Sequence, residues 1–276
     1  MDALALSYPV DGIAPYIDWT YFFHAWGLKP AQQHTGLADA LMHDARATLA
    51  ALGDEVEARC MVRLCHANAC DDDLMVEGIR IPLLRQQAHP SQSDAPYLCL
   101  SDFVRPCSSG EKDTIGLYAT SVSLPEKPEI TDDPYRSLML QTLADRLAEA
   151  AAERLHEYVR RSLWGYASQE DLSIGELLKC RYQGIRPAVG YPCLPDQSVI
   201  FLLNRLLPLK RIGITLTDNG AMHPHASTCG LMLAHPSARY FAVGAIGEDQ
   251  LNDYAQRRGM PVETVRKFLG ANLRYQ

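Results

Sequence analysis

The 276-residue chain predicts an α+β fold built as one mixed domain. Strand-like apolar runs alternate with helical patterns but lack a regular β-α-β rhythm. One long amphipathic helix dominates the middle of the chain, and no repeat, low-complexity tract or long linker divides it. With 47% hydrophobic and 21% charged residues, the composition is that of an ordinary globular protein with enough apolar material to bury a core.

Taken in order, residues 1–15 are loosely patterned and read as an N-terminal arm. Leu37, Ala40, Leu41, Ala45, Leu49 and Leu52 recur at helical spacing, with Gly53 placed to stop that helix. Strand-like runs follow at 59–64, 75–81 and 114–122, the last rich in β-branched and aromatic residues. Polar loops are expected at 89–96 and 125–134. The long helix is predicted over 135–164, capped by Asp132 or Asp133, opened by Pro134 and ended by Gly165. Leu140, Leu143, Leu147, Ala151, Leu155 and Val159 form its apolar stripe, and Ala144 and Ala148 let a sheet approach closely. Further strands are expected at 199–203, 213–216 and 240–246. Two short helices, 250–258 and 262–269, close the chain, the second with Pro261 at its start.

A formal net charge of −7 argues against a general nucleic-acid binder, which would carry a basic face. No apolar run approaches the length of a membrane span, and no export signal is visible at the N-terminus, so a cytoplasmic protein is expected. Eight cysteines in such a compartment read as buried, reduced, small apolar side chains rather than a disulfide framework. Cys60, Cys65, His66 and Cys70 are dense in soft metal ligands. Zinc sites, however, present cysteines as close pairs on turns. The run Cys60-Met-Val-Arg-Leu-Cys65 alternates like a strand and places these two thiols on opposite faces, so the metal reading gives way.

Two segments concentrate chemistry. Tyr182-Gln-Gly-Ile-Arg-Pro-Ala-Val-Gly-Tyr-Pro192 is neither a regular helix nor a regular strand. Its glycines permit positive φ or close approach of a ligand, and Arg186 offers a planar fork for a carboxylate or phosphate. A structural turn whose arginine bridges a protein carboxylate fits the same residues. Upstream, Asp18 stands among Tyr16, Trp19, Tyr21, Phe22, Phe23 and Trp26. A carboxylate there must be paired, protonated or bound to a cation, or else it caps a neighbouring helix. A zwitterionic amino-acid ligand needs an arginine for its carboxylate and an acid for its ammonium, and the chain offers both.

Six segments occur in a telling order: Tyr16-Ile-Asp-Trp-Thr20, Tyr97-Leu-Cys-Leu-Ser-Asp-Phe-Val104, Ala144-Asp-Arg-Leu-Ala-Glu-Ala150, Leu155-His-Glu157, Trp164-Gly-Tyr-Ala167 and the 182–192 segment. Together they resemble the activation domain of cobalamin-dependent methionine synthase, which binds S-adenosylmethionine (SAM). The resemblance runs from about Tyr16 to the C-terminus, so 16–276 is read as the SAM-binding domain behind the 1–15 arm. It implies a twisted antiparallel sheet with flanking helices and a shallow surface groove for SAM. Arg186 matches the arginine that holds the SAM carboxylate. Asp18 matches a SAM-contacting aspartate, assigned on charge to the ligand ammonium. Ala188 falls in the turn whose backbone meets the ligand, and Tyr191 matches the tyrosine near the transferable methyl. Tyr240 and Phe241 match a tyrosine pair lining the ligand, the second without its hydroxyl. Glu149 matches an acid near the sulfonium.

The sequence also departs from the family pattern. Cys180 stands where the family often has a second glutamate near the cationic ligand. In Ala221-Met-His-Pro-His-Ala-Ser227, His223 and His225 replace the usual Trp and Gly and read as local variation rather than proton-transfer groups. The chain lacks the Asp-x-His-x-x-Gly motif whose histidine ligates cobalt. The expectation is therefore a freestanding SAM-binding reactivation subunit of a split methionine synthase, a methyltransferase component without a catalytic residue or metal of its own. It would support reductive methylation of cob(II)alamin on a separate corrinoid-binding subunit, with flavodoxin or another one-electron donor supplying the electron. Alternatives are a reactivator of another corrinoid methyltransferase, a non-catalytic corrinoid-protein-binding module that has lost SAM, and a Cys/His metal protein.

Overall fold

The computed structural model describes residues 2–33, 35–87, 96–124 and 133–273. Its centre is a six-stranded, curled antiparallel sheet. Strand β2 (Glu57–Cys70) is 14 residues long, so it has room for two partners on one edge. Strand β1 (Leu4–Pro9) takes its first half, pairing Pro9 with Glu57 and Leu4 with Val62. Strand β3 (Asp73–Val76) takes its last turn, and β4 (Ile79–Pro82) pairs with β3. The other edge of β2 belongs to β5 (Asp113–Val122), which in turn pairs with β8 (Ser227–Met232). A separate two-stranded ribbon joins β6 (Thr215–Leu216) to β7 (Met222–His223).

Both faces of the sheet are covered, and strand periodicity divides the side chains between them. On β2, Ala58, Cys60 and Val62 face one core while Met61, Cys65, Ala67 and Ala69 face the other. The first face is packed by helices α1 (Val10–Ile13), α2 (Trp19–Ala25), α3 (Gly36–Leu52) and α4 (Pro134–Tyr158). After a one-turn helix α5 (Ile174–Leu177), the second face is packed by α6 (Val199–Leu206) together with the apolar segment 98–104. Helices α7 (Glu248–Arg258) and α8 (Val262–Phe268) close a smaller cluster around Tyr254.

Helix α4 forms as its sequence predicts. Asp133 accepts from the backbone N–H groups of Tyr135 (2.9 Å) and Arg136 (3.3 Å), Pro134 stands in the first turn, and the Leu140-to-Val159 stripe is buried against the sheet. Asp132 lies outside the described residues. From Val159 to Leu163 the helix widens into a π turn, in which the Trp164 N–H reaches the Val159 carbonyl at 2.9 Å. Gly165, at φ +75, then ends it.

Several expectations are corrected. The 1–15 segment is not an arm, because Leu4–Pro9 forms β1 of the sheet. The single strand read at 75–81 is a hairpin, β3 and β4, turning at Glu77 (φ +46) and Gly78 (φ +81). The run at 199–203 is the start of α6. Val199, Ile200, Leu203 and Leu206 are buried on one face while Phe201 and Arg205 face out, a three-to-four spacing that a five-residue apolar run conceals. Residues 240–246 form no strand. Their backbone bonds go to loops instead, the Val243 N–H to the Pro192 carbonyl and the Val243 carbonyl to Gln87 N–H. Of 213–216, only Thr215–Leu216 is extended. Most of the two polar loops, 89–96 and 125–134, lies outside the described residues.

The cysteines also depart from expectation at one pair. Cys70 and Cys107 form a disulfide with Cα atoms 5.6 Å apart. The Ala69 N–H bonds to the Arg105 carbonyl at 2.9 Å, so the chain already runs alongside itself there. Cys60 and Cys65 fall in opposite cores, and burial raises their thiol pKa values to about 12 and about 11.

Candidate functional site

The 182–192 segment is laid along β8 as an irregular extra strand. Ile185 exchanges both backbone hydrogen bonds with Leu233 at 2.9 Å. Leu231 donates to Pro187 and Val189 donates to Cys229, also at 2.9 Å. Such a close lie depends on two glycines. A Cβ on Gly230 would stand 2.1 Å from the Pro187 carbonyl oxygen, and one on Gly184 (φ +86) would stand 2.4 Å from that of Leu233. The glycine-rich character of the segment is thus a packing requirement, and its product is an arginine held at the sheet edge.

Arg186 opens onto a groove of about 790 Å³. Asp18, Glu149, Arg186, Ala188, Tyr191, Tyr240 and Phe241 all line it. These seven arrive from three regions: the α2 N-terminus, the middle of α4, and the 186–241 stretch. Two smaller clefts, of about 290 and 340 Å³, contain none of them. The groove also takes in Cys180, Arg146, Glu153, Tyr16, Tyr21 and Tyr118, of which only Cys180 had been singled out from the sequence in relation to a ligand. Cys180 is exposed, has φ +53, and its sulfur accepts from the Tyr182 hydroxyl at 3.5 Å.

Both structural alternatives left open by the sequence hold, alongside the shared groove. Asp18 caps α2, its Oδ1 accepting from the Thr20 N–H at 2.9 Å. Arg186 bridges a protein carboxylate: its Nη2 lies 2.8 Å from Glu153 Oε2. Its Nη1 donates to the Tyr182 hydroxyl at 3.0 Å, and its backbone N–H donates to the Tyr240 hydroxyl at 3.0 Å. Glu149 accepts from the Tyr191 hydroxyl at 2.5 Å.

The electrostatics follow from burial. Desolvation opposes the charge on Arg186, but Glu153 and the surrounding tyrosines outweigh it and hold the guanidinium well above the ordinary arginine range. Desolvation raises the Glu153 carboxyl, with Arg186 and Arg160 pulling the other way. Burial and the nearby Glu149 carboxylate push the Tyr191 phenol up. Behind the groove, Arg160 is fully buried, pairs with both oxygens of Glu170 (2.7 and 2.9 Å), and lies 4.0 Å above the Tyr182 ring.

Glu153 is the main group that sequence reasoning missed. Its signal was present, since Glu149, Glu153 and Glu157 repeat every fourth residue of α4 and so share a face. The 182–192 segment covers part of that face, Tyr191 reaching Glu149 and Arg186 reaching Glu153, while Tyr16, Arg154 and Arg161 hold Glu157. His223 and His225 stand outside the groove lining. The His225 side chain is 95% exposed, with Nδ1 3.3 Å from an Asp145 oxygen.

Comparison with known proteins shows the family of the chain. The sequence model of the family described as vitamin B12 dependent methionine synthase, activation domain, matches residues 9–259. Among solved structures, the chain is similar to one described as the MetH reactivation domain bound to AdoHcy, at 38% sequence identity and a TM-score of 0.91. That match covers 100% of this chain and 91% of the other. With its curled antiparallel sheet, its long capped helix and its arginine-bearing edge segment, this chain belongs to the activation-domain family of vitamin B12-dependent methionine synthase.

Proposed function

We propose that the groove binds SAM and presents its methyl group to a reduced corrinoid carried by another protein, returning an oxidised methionine synthase to its active form. The observation that supports this most is the meeting of Arg186, Asp18 and Glu149 in one groove although they come from distant parts of the chain. The similar solved structure, described as bound to AdoHcy, supports a ligand of the same class here.

The residues fit such a ligand. Arg186 provides a fork for the α-carboxylate, and Asp18 provides a carboxylate for the α-ammonium. Glu149 and the hydroxyl of Tyr191 lie toward the sulfonium, and Tyr240 and Phe241 offer ring faces for the rest of the molecule. The acids Asp18, Glu149 and Glu153 outnumber the cations Arg146 and Arg186 on the lining, a balance suited to a ligand bearing a sulfonium. The corrinoid, when present, supplies the nucleophile, so the chain needs no general base. Its task is to bind, to orient and to leave the methyl exposed, and correct placement alone lowers a barrier by roughly 7–11 kcal/mol in ideal cases. In this reading the corrinoid-binding protein docks over the groove in the cytoplasm, and a flavodoxin or similar donor supplies the electron.

Calorimetric titration with SAM tests the first step. The parent chain should bind, and Arg186→Ala should lose about 100-fold in affinity, the scale of a lost charge-assisted pair. No heat from the parent chain overturns the reading. The full activity is tested by SAM- and reductant-dependent growth of a methylcobalamin spectrum on a candidate corrinoid protein. A chain that binds that protein but not SAM would favour the non-catalytic module instead.

A further inference from the structure

A loop arginine has many rotamers, and its fork recognises a carboxylate only when its plane is fixed. Two contacts fix Arg186. Tyr182 receives Nη1, and Tyr182 is itself pinned beneath the buried Arg160, which the π turn at the end of α4 sets against Glu170. Glu153 receives Nη2 at 2.8 Å.

Glu153 occupies a costly position. It is 3% exposed, and its Oε1 is buried without a hydrogen-bond partner among the described residues. Most other buried positions of α4 carry leucine or alanine, and either would pack here without an unsatisfied oxygen. Its neighbour one turn earlier, Glu149, engages Tyr191 rather than Arg186. The structure therefore holds a second carboxylate on this face for the guanidinium alone.

We propose that Glu153 is the positioning residue of the site. It acts through Arg186, holding the guanidinium plane so that its remaining N–H donors face the groove, and it does not contact the methyl donor. The proposal rests on SAM occupying the groove and assigns how the carboxylate end of that ligand is recognised.

The test titrates the parent chain, Glu153→Gln and Glu153→Ala with SAM and with 5′-methylthioadenosine, which keeps the adenosine but has no amino-acid carboxylate. Nitrogen-15 NMR of the arginine side chains follows Arg186 in the same samples. Glutamine keeps an acceptor oxygen for Nη2, so it should retain SAM affinity within about 3-fold, whereas alanine should lose about 10-fold or more. Methylthioadenosine affinity should be unchanged in both. The guanidinium of Arg186 should show restricted rotation in the parent and glutamine chains and free rotation in the alanine chain. If the alanine chain does not fold, Glu153→Met, of similar volume and without an acceptor, takes its place. An alanine or methionine chain that binds SAM like the parent, or that loses both ligands equally, overturns the positioning role and leaves the functional reading standing. A parent chain that binds no SAM overturns both.

Discussion

At the scale of single residues, the site is a small set of charges whose behaviour is decided by what packs over them. His156 shows this most clearly. It is fully buried one turn below Glu153, with Nε2 3.3 Å from the Tyr166 hydroxyl and its ring edge-on to Tyr182. Burial, then the charges of Arg160 and Arg186, push its pKa well below 6.5, so the folded chain holds it neutral. Below pH 6.5 the unfolded chain takes up a proton that the folded chain refuses, and this group's share of stability falls by about 1.4 kcal/mol per pH unit. Glu153, raised by burial, works in the opposite direction at lower pH. Urea unfolding from pH 7.5 to 5.5 should therefore show the parent losing its advantage over His156→Gln as the pH drops. A constant gap between the two would mean that His156 takes up its proton alike in the folded and unfolded chains, and a gap that widens as the pH falls would mean that it is charged in the fold. The sequence made Asp18, Glu149 and Arg186 legible because each stood in a motif. His156 also stands in one of the six ordered segments, but neither it nor Glu153 takes a role from the sequence, since nothing local announces that a loop about thirty residues on will pack against them.

At the scale of elements, what was legible depended on length. The 25-residue α4 carries enough turns for its stripe, cap and terminating glycine to agree, and the fold obeys them. Short apolar runs carry no such redundancy, so 199–203 reads as a strand and 75–81 as one strand rather than two. The edge segment at 185–189 was recognised as irregular, yet its partnership with β8 was not visible, because it is written in Gly230 rather than in the segment itself. This gives a direct test. Gly230→Ala places a methyl where the Pro187 carbonyl lies, so the segment must lift from β8. Stability should fall by about 2 kcal/mol or more, and SAM affinity should fall with it because Arg186 moves. Ala119→Val on the neighbouring strand should cost stability through overpacking alone, so unchanged SAM affinity there would show that lifting the segment, rather than strain in the core, disables binding.

At the scale of the whole molecule, the class, the antiparallel sheet and its flanking helices were readable from pattern and resemblance, whereas long-range pairings were not. The place of β1 beside β2, and the bond between Cys70 and Cys107, 37 residues apart, are set by which surfaces meet after folding. The same holds for the groove, whose walls come from α2, α4 and the edge segment together. Ligand binding should consequently be felt as global stability. SAM at 100 times its dissociation constant should add about 2.7 kcal/mol, a rise of about 5 °C in Tm by thermal melting, and Arg186→Ala should abolish the rise. A wall that begins at Tyr16 and ends at Phe241 has one more outcome, for synthesis. Every residue through Phe241 must leave the ribosome before that wall is complete, so a nascent chain, or one cut short of Phe241, should bind SAM far more weakly than the whole, and competence should arrive in one late step rather than by degrees.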